Sequence, residues 1–196
     1  MNQTGQDQPD VVTLQPIGQV VSPRDDLSDD NWGDVPAVIR LNAARYGEEA
    51  LFGLDDFSHL EVVFHFDRVP EKKIETGARH PRGNTDWPLV GIFAQRGKNR
   101  PNRLGVSRCT LVKVDGLDVH VLGLDPIDGT PVLDIKPHLR EFGPRGEIKQ
   151  PQWSVELMGE YYRLVVTRGE TRCGSRAAPG SARVSHRRRR ARRGGS

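Results

Sequence analysis

The part of the sequence best equipped for binding chemistry is a basic stretch from Gly91 to Arg108, GIFAQRGKNRPNRLGVSR. It holds five cationic side chains in eighteen positions and no acidic one: Arg96, Lys98, Arg100, Arg103 and Arg108. A guanidinium group donates two parallel hydrogen bonds to a carboxylate or a phosphate. Pro101 restricts the backbone, and Gly105 lets the main chain come close to a ligand. These features favour an anion-binding loop; a solvated surface loop is the alternative reading.

A second candidate is the acidic stretch DPIDGTPVLDIKP at residues 125–137, which holds Asp125, Asp128 and Asp134. Asp-Gly is typical of a tight turn, where the Asp side chain caps the backbone. Three carboxylates are also metal ligands, but no His or Cys stands at ligand spacing beside them. We therefore expect an acidic turn that exposes backbone, and no metal centre.

The charge is divided unevenly along the 196 residues. The total is +3, whereas residues 169–196 contain nine arginines and one acid, which leaves a net −5 for residues 1–168. An acidic body does not attract nucleic acid by its overall charge, so a polyanion would need a local basic patch or the tail. The tail composition predicts disorder from residue 168 onward. It is either an inert extension or an RNA-binding arm.

Composition also limits the fold class and the cellular location that we expect. The chain has 21 Gly and 14 Pro and is only 35% hydrophobic, which is typical of a turn-rich β protein. No apolar run reaches the roughly 18 residues of a membrane span, and the N-terminus lacks the pattern of a signal peptide. Two cysteines form no disulfide framework, so we expect a cytoplasmic protein.

Residue patterns predict a chain of short strands. Strands are expected at residues 11–23, 35–41, 59–69 and 89–94, in a hairpin over 106–125 that turns at Asp115-Gly116, and just before residue 137. A short helix is expected around 46–54, and residues 152–167 read as a helix or a strand, with strand favoured at the end. A long polar loop occupies 70–88. The expected organisation is a frayed segment 1–12, one β domain 13–167, and the tail 168–196.

Three signatures, taken together, resemble a known family. They are GLDDFSHLEVVF at 53–64, HPRGNTDWPLVGIFAQRGKNRPNRLGVSR at 80–108 and GLDPIDGTPVLDIKP at 123–137. Their order and spacing over residues 13–166 resemble the TsaA-like family, the TrmO-type S-adenosylmethionine-dependent tRNA methyltransferases. The resemblance implies a mainly β fold, a small β-barrel with short helices, working as a homodimer. It implies N6-methylation of threonylcarbamoyl-adenosine next to the anticodon of tRNA.

The resemblance also implies which residues form the site. The S-adenosylmethionine site would use Ser22, Pro23, Arg24, Asp67, Arg68, Arg96, Val106, Asp128, Gly129, Thr130 and Pro131. Lys98, Arg100 and Arg103 would contact the tRNA backbone, and Asp128 or Asp67 would serve as the catalytic base. The chain departs from the family pattern at Asp67, where His is usual, and at Arg103-Leu104, where Pro-Ile is usual.

Two rival functions stay open at the level of the sequence. One is the same cofactor chemistry on another small or RNA substrate. The other is a non-catalytic nucleic-acid-binding β-barrel whose arginine-rich loop and tail are the binding surfaces. Cofactor binding discriminates the second from the first.

Overall fold

The computed structural model describes residues 11–164. The predicted arginine-rich tail, Cys173 and the last residues of the predicted 152–167 element lie outside the described residues, as do residues 1–10. The strands are β1 (Gly18–Val21), β2 (Pro36–Leu41), β3 (His59–His65), β4 (Ala78–Arg79), β5 (Val90–Gly91), β6 (Leu104–Asp115), β7 (Asp118–Leu122) and β8 (Pro131–Pro137). The α-helix is α1 (Gln152–Met158), and 3₁₀ turns cover Glu48–Leu51, Leu54–Asp56, Glu71–Lys73, Pro81–Gly83, Ile92–Ala94 and Arg140–Phe142.

Six strands close into an antiparallel barrel in the order β1-β2-β7-β6-β3-β8, with β8 returning to β1. Along β3, buried side chains alternate with more exposed ones, so that Leu60, Val62 and Phe64 point into the barrel. β6 alternates in the same way and places Gly105, Ser107, Cys109 and Leu111 inside. The expected mainly β fold with a small barrel is confirmed.

The antiparallel order gathers three loops at one end of the barrel. β1, β3 and β7 end there, and β2, β6 and β8 begin there. The loops are 22–35, 66–103 and 123–130, and we call this end the site rim. The opposite end carries the connection 42–58 and the tight turn between β6 and β7. Every residue that the family resemblance assigns to a site lies at the site rim or at the adjoining ends of its strands.

The predicted β6–β7 hairpin is confirmed, and Gly116 takes the left-handed conformation (φ 58) that its turn requires. The first strand is much shorter than residues 11–23, because only Gly18–Val21 finds partners on β2 and β8. The predicted helix at 46–54 is wrong as a single element. Two 3₁₀ turns replace it, since Gly53 adopts φ 78 between them.

Two further segments differ from expectation. Of residues 89–94, only Val90–Gly91 pairs as a strand, with Ala78–Arg79, and a 3₁₀ turn follows. The segment 152–167 begins as the α-helix Gln152–Met158 directly after Pro151, which is suited to a helix start. Residues 159–162 form turns, and of the residues 164–166, for which a strand is favoured, only Leu164 is described.

No helix in the described part of the chain is long and apolar enough to cross a membrane.

Candidate functional site

Two turns that are far apart in sequence interlock at the site rim. The Ser22 amide donates to Asp128 Oδ1 at 3.0 Å, and the Asp128 amide donates to the Arg24 carbonyl at 2.8 Å. The Gly129 amide donates to the Val20 carbonyl at 2.8 Å. The structure therefore brings together the two turns that the resemblance assigned to the cofactor, Ser22-Pro23-Arg24 and Asp128-Gly129-Thr130-Pro131.

The Arg24 side chain folds back over its own loop. Its guanidinium carbon lies 3.9 Å from the centre of the Trp32 ring, and its two terminal nitrogens donate to the carbonyls of Asn31 and Ser28, each at 3.3 Å. Trp32 is only 2% exposed. Such a stacked, desolvated cation contributes to stability. Arg24 therefore shapes the 22–35 loop with its side chain, while its carbonyl accepts from the Asp128 amide.

Arg68 joins the same cluster from the end of β3. Its NH2 group donates to the Asp128 carbonyl at 2.7 Å. A Cβ built on Gly129, which has φ 77, would lie 3.4 Å from that NH2 group. Asp67 is exposed, and within residues 11–164 its carboxylate has no hydrogen-bond partner. Arg68 thus belongs to the interlocked turns, whereas Asp67 is a solvated acid beside them.

A surface cavity of about 450 Å³ lies on the outer side of β6 near its start. Its lining combines apolar side chains with cationic and polar ones: Phe93, Arg96, Arg100, Pro101, Asn102, Leu104 and Val106. Arg96 donates from NH2 to the Val106 carbonyl. The cavity is open to solvent on one side, and it offers both apolar surface and hydrogen-bond donors. Arg96 and Val106, two of the residues that the resemblance assigns to the cofactor, both line it.

β3 separates this cavity from the interlocked turns. Val63 of β3 pairs with Val106 on one side and with Asp134 of β8 on the other. No hydrogen bond in the described part of the chain joins Arg96 to the Asp128 turn. The predicted cofactor residues therefore form two neighbouring groups at the same rim.

The three predicted RNA contacts each have an intramolecular partner. Lys98 Nζ lies 3.3 Å from Asp29 Oδ1, Arg100 NH1 donates to the Gln95 carbonyl at 3.4 Å, and Arg103 NH1 donates to the Val69 carbonyl at 2.9 Å. Lys98 and Asp29 are 38% and 50% exposed in their side chains, so this ion pair is solvated. Lys98 is therefore the most available of the three cations.

Arg103 has a second role in the backbone. It adopts φ 51, in the left-handed region, and its carbonyl accepts from the Phe66 amide at 2.8 Å. Proline, which the family pattern has at this position, is locked near φ −65° and does not reach that conformation. Arg103 therefore replaces the family's proline at a position where the backbone has a conformation that proline does not adopt.

The sequence did not reveal one buried network at the rim. Asp125 Oδ1 accepts a hydrogen bond from the Ser107 hydroxyl, and Asp125 Oδ2 accepts one from the Tyr161 hydroxyl at 2.5 Å. Burial, and then the Asp125 carboxylate, raise the pKa of the Tyr161 phenol far above its usual range. Burial likewise raises the pKa of the neighbouring Cys109 thiol to about 12. The alternating pattern of β6 could have predicted that Ser107 points into the barrel, but no local sequence pattern predicts that Tyr161 contacts Asp125.

The three acidic residues of the 125–137 stretch do not converge. Asp125 is in the buried network, Asp128 is in the interlocked turns, and Asp134 lies on β8, where it pairs with Lys136. Across residues 11–164 no group of three or more His, Cys, Asp or Glu side chains is placed to hold a metal ion.

Comparison with known proteins agrees with the barrel and the motifs. Residues 28–143 match the family model described as the tRNA-methyltransferase O N-terminal domain. The chain is 38% identical over 104 residues to a mouse protein named tRNA (adenine(37)-N6)-methyltransferase, covering 53% of this chain but only 24% of the relative. It is 32% identical over 151 residues to a probable S-adenosyl-L-methionine-binding protein of Pyrococcus abyssi, covering 72% of this chain and 76% of the relative.

A solved structure shares the fold. The crystal structure of TrmO from P. aeruginosa superposes with a TM-score of 0.60 at 24% identity, covering 76% of this chain and 64% of that one. The chain spans about a quarter of the length of the mammalian relative. The family model covers more than half of the chain, and the chain covers most of the archaeal relative. The chain therefore belongs to the tRNA-methyltransferase O (TsaA-like) family and carries its N-terminal domain.

Proposed function

We propose that the protein is an S-adenosylmethionine-dependent tRNA methyltransferase that N6-methylates threonylcarbamoyl-adenosine next to the anticodon. The observation that carries this proposal is the convergence at one rim of the Ser22–Arg24 turn, the Asp128–Pro131 turn and the cavity beside Arg96. The names of the relatives support the same reaction, the methylation of adenine 37 in tRNA. Family membership supports the cofactor.

The rim residues fit the proposed cofactor chemically. S-adenosylmethionine has a carboxylate, an ammonium group and an adenine ring. The Arg96 guanidinium suits the carboxylate, and the exposed Phe93 and Val106 side chains suit the ring. The backbone around Gly129 is accessible because no side chain stands there. We assign the cofactor to Ser22, Pro23, Arg24, Asp67, Arg68, Arg96, Val106, Asp128, Gly129, Thr130 and Pro131.

When bound, the cofactor supplies a methyl group on a sulfonium. The chain's own task is to align the accepting nitrogen and to exclude water, and alignment alone can account for about 7–11 kcal/mol of a barrier. The nitrogen of a threonylcarbamoyl group is urea-like and holds its proton, so a carboxylate that accepts this proton would assist. Asp128 Oδ1 already accepts from Ser22, which leaves Oδ2 for that role. Asp67 is the other candidate, because its carboxylate is open to solvent.

We assign the tRNA backbone to Lys98, Arg100 and Arg103. An exposed ion pair such as Lys98–Asp29 contributes only about 0–1 kcal/mol, so a phosphate can replace the Asp29 carboxylate. Changing all three cations to alanine should make the slope of log K for tRNA binding against log salt concentration shallower by about two to three, because each lost phosphate contact removes roughly 0.7–0.9 from the slope. Lys113→Ala, at the opposite end of the barrel, is the control. An unchanged slope in the triple variant would move the RNA site elsewhere.

The homodimer, the cytoplasmic location and the domain boundaries belong to the proposal too. Light scattering of the purified chain tests the dimer. We propose residues 13–167 as the catalytic domain and 168–196 as a tail that adds attraction to RNA phosphates.

Two measurements test the function itself. Calorimetry should show S-adenosylmethionine binding that Arg96→Ala weakens by about 1.5–3 kcal/mol, as expected for a charged hydrogen bond. Arg108→Ala, which removes an arginine that lies on β6 and pairs with Glu61, should leave binding unchanged. Mass spectrometry of tRNA nucleosides from cells with and without the gene should show the N6-methyl group only when the gene is present.

The outcomes separate the rival functions. A protein that binds the cofactor but does not change tRNA nucleosides acts on another substrate. A protein that binds tRNA but no cofactor is a non-catalytic binding barrel.

A further inference from the structure

The chain segment after α1, residues 159–164, returns to the site rim and docks on the 22–35 loop. The Asn31 amide donates to the Glu160 carbonyl at 3.0 Å, and the Trp32 amide donates to the Tyr161 carbonyl at 2.8 Å. A Cβ on Gly33 would lie 2.2 Å from the Tyr162 carbonyl oxygen, so the two backbones are in close contact. We call residues 159–164 the docking segment.

One side chain of the docking segment enters the barrel end. The Tyr161 hydroxyl donates to Asp125 Oδ2 at 2.5 Å, while the other oxygen of that carboxylate accepts from Ser107 inside the barrel. A hydrogen bond to a carboxylate is stronger than one between neutral groups. The Tyr161 hydroxyl thus binds the β7–β8 loop through Asp125, which in turn binds Ser107 of β6, and the Tyr161 carbonyl binds the 22–35 loop.

These contacts form a closed circuit around the interlocked turns. Tyr161 holds the Trp32 amide, the Trp32 ring carries the Arg24 guanidinium, and the Arg24 carbonyl accepts from the Asp128 amide. The β7–β8 loop that carries Asp128 also carries Asp125, three residues earlier, which binds the Tyr161 hydroxyl. Apart from the chain between Asp125 and Asp128, each link is a hydrogen bond or a stacking contact between groups that are buried or half-buried.

We propose that Tyr161 is a positioning residue for the proposed cofactor site, because it fixes the 22–35 loop against the Asp128 turn through the Asp125 carboxylate. The proposal rests on the proposed function, since it concerns the turns assigned to S-adenosylmethionine. Tyr161 itself makes no hydrogen bond to the Ser22–Arg24 turn or to the Asp128–Pro131 turn. It acts through Trp32 and Asp125.

Removing only the hydroxyl isolates this role. Tyr161→Phe keeps the ring and the backbone bond to Trp32, but leaves one Asp125 oxygen without its donor. We expect the KM for the cofactor to rise about tenfold, which is the loss of affinity expected when one charged hydrogen bond is removed. The kcat at saturating cofactor should change less than twofold, because the reacting groups are untouched. Tyr46→Phe, a half-buried tyrosine at the opposite end of the barrel, is the matched control and should change neither constant.

Three more variants keep the test decisive. Asp125→Asn retains an oxygen that can accept from the Tyr161 hydroxyl, so this variant should keep most of the affinity for the cofactor. Asp125→Leu has no such oxygen and should raise the cofactor KM as Tyr161→Phe does. Gly33→Ala pushes the docking segment away without changing any group of the network, and it should raise the cofactor KM as well. All constants are compared at a temperature where each variant is folded, as verified by its own denaturation curve.

Hydrogen exchange of the cofactor-free chain separates this proposal from the proposed function. In Tyr161→Phe the amides of Trp32, Asp128 and Gly129 should exchange about tenfold faster, while amides of the β6–β7 hairpin stay unchanged, because loss of one charged hydrogen bond raises local opening by that order. A wild-type chain that binds no S-adenosylmethionine would overturn the proposed function, and the exchange rates would still decide the positioning role. Unchanged exchange and unchanged KM in Tyr161→Phe would overturn the proposal.

Discussion

The Ser22 amide and the Asp128 carboxylate, which are 106 residues apart, meet in a 3.0 Å hydrogen bond at the rim of the barrel. This bond ties the loop after β1 to the loop before β8. It also occupies one oxygen of the residue that is a candidate for the catalytic base. The structural and the chemical roles of Asp128 are therefore separable by the choice of substitution.

Asp128→Ala should lower the free energy of unfolding by about 1 kcal/mol, because the half-buried Ser22 amide loses its acceptor. Asp128→Asn keeps an acceptor oxygen and should leave stability nearly unchanged, as measured by urea denaturation. If Asp128 is the base, both variants lose about 10²–10⁴ in methyl transfer, the usual contribution of general-base catalysis. A fully active Asp128→Asn would exclude Asp128 as the base, and the same substitution at Asp67 then tests the second candidate.

Gly105→Ala should destabilise the barrel. The added Cβ would lie 2.2 Å from the ring of Phe64, which is 1% exposed and packed in the core. Overpacking of this kind costs about 1–3 kcal/mol. Gly91→Ala has nothing within 4 Å of the new Cβ and serves as the control. Equal melting temperatures for the two variants would show that the Phe64 ring moves aside without cost.

The protein should lose stability at alkaline pH because of Cys109. Burial raises the pKa of this thiol to about 12, while an unfolded cysteine titrates at about 8.5. The folded state then keeps a proton that the unfolded state releases, so stability is intact below about pH 8.5 and falls as pH rises toward 12. The raised pKa of Tyr161 acts in the same direction at higher pH.

Urea midpoints measured from pH 8 to 11 check this expectation, and Cys109→Ala should flatten the decline. In a Cys173→Ser background, a thiol reagent should react with the chain only after unfolding. Fast reaction of the native chain at pH 8 would mean that Cys109 is accessible and ionises normally.

Asp29→Asn should strengthen tRNA binding at low salt. The Asp29 carboxylate lies 3.3 Å from Lys98 Nζ, so its removal leaves Lys98 more available to phosphates, whereas Arg82 stays paired with Asp30 at 2.7 Å. We expect a gain of about two- to fivefold, in line with the 0.2–1 kcal/mol of an exposed ion pair, and a steeper salt dependence. Asp55→Asn makes the same charge change at the opposite end of the barrel. An equal gain in both variants would indicate an effect of net charge alone.

The sequence predicted the barrel better than its rim, for a physical reason. The strands β3 and β6 show their alternation locally, and the Asp115-Gly116 turn signals its own hairpin. The rim depends on partners far along the chain. Trp32 sits in an acidic loop whose local composition indicates exposure, yet it is buried because Arg24 stacks on it and Tyr161 binds its amide. No local pattern carries that information.

Of the apolar run 164–166, which favours a strand, the structure describes only Leu164, and the side chain of that residue lies beside Gly33. The family motifs pointed to the two turns that interlock at the rim, Ser22–Arg24 and Asp128–Pro131, although these turns lie far apart in the sequence.

The two ends of the described chain leave the barrel at opposite poles. Residues 11–17 lead into the start of β1, away from the rim, whereas Leu164 lies beside Gly33 at the rim itself. A group attached after residue 164 by a short linker would be present at the rim at about millimolar effective concentration. A fluorophore there would report on binding at the rim, whereas a capture tag there would interfere with it. The same attachment before residue 11 would sit at the far pole. Attachment at residue 11 is therefore the orientation that leaves the rim free for biosensor measurements.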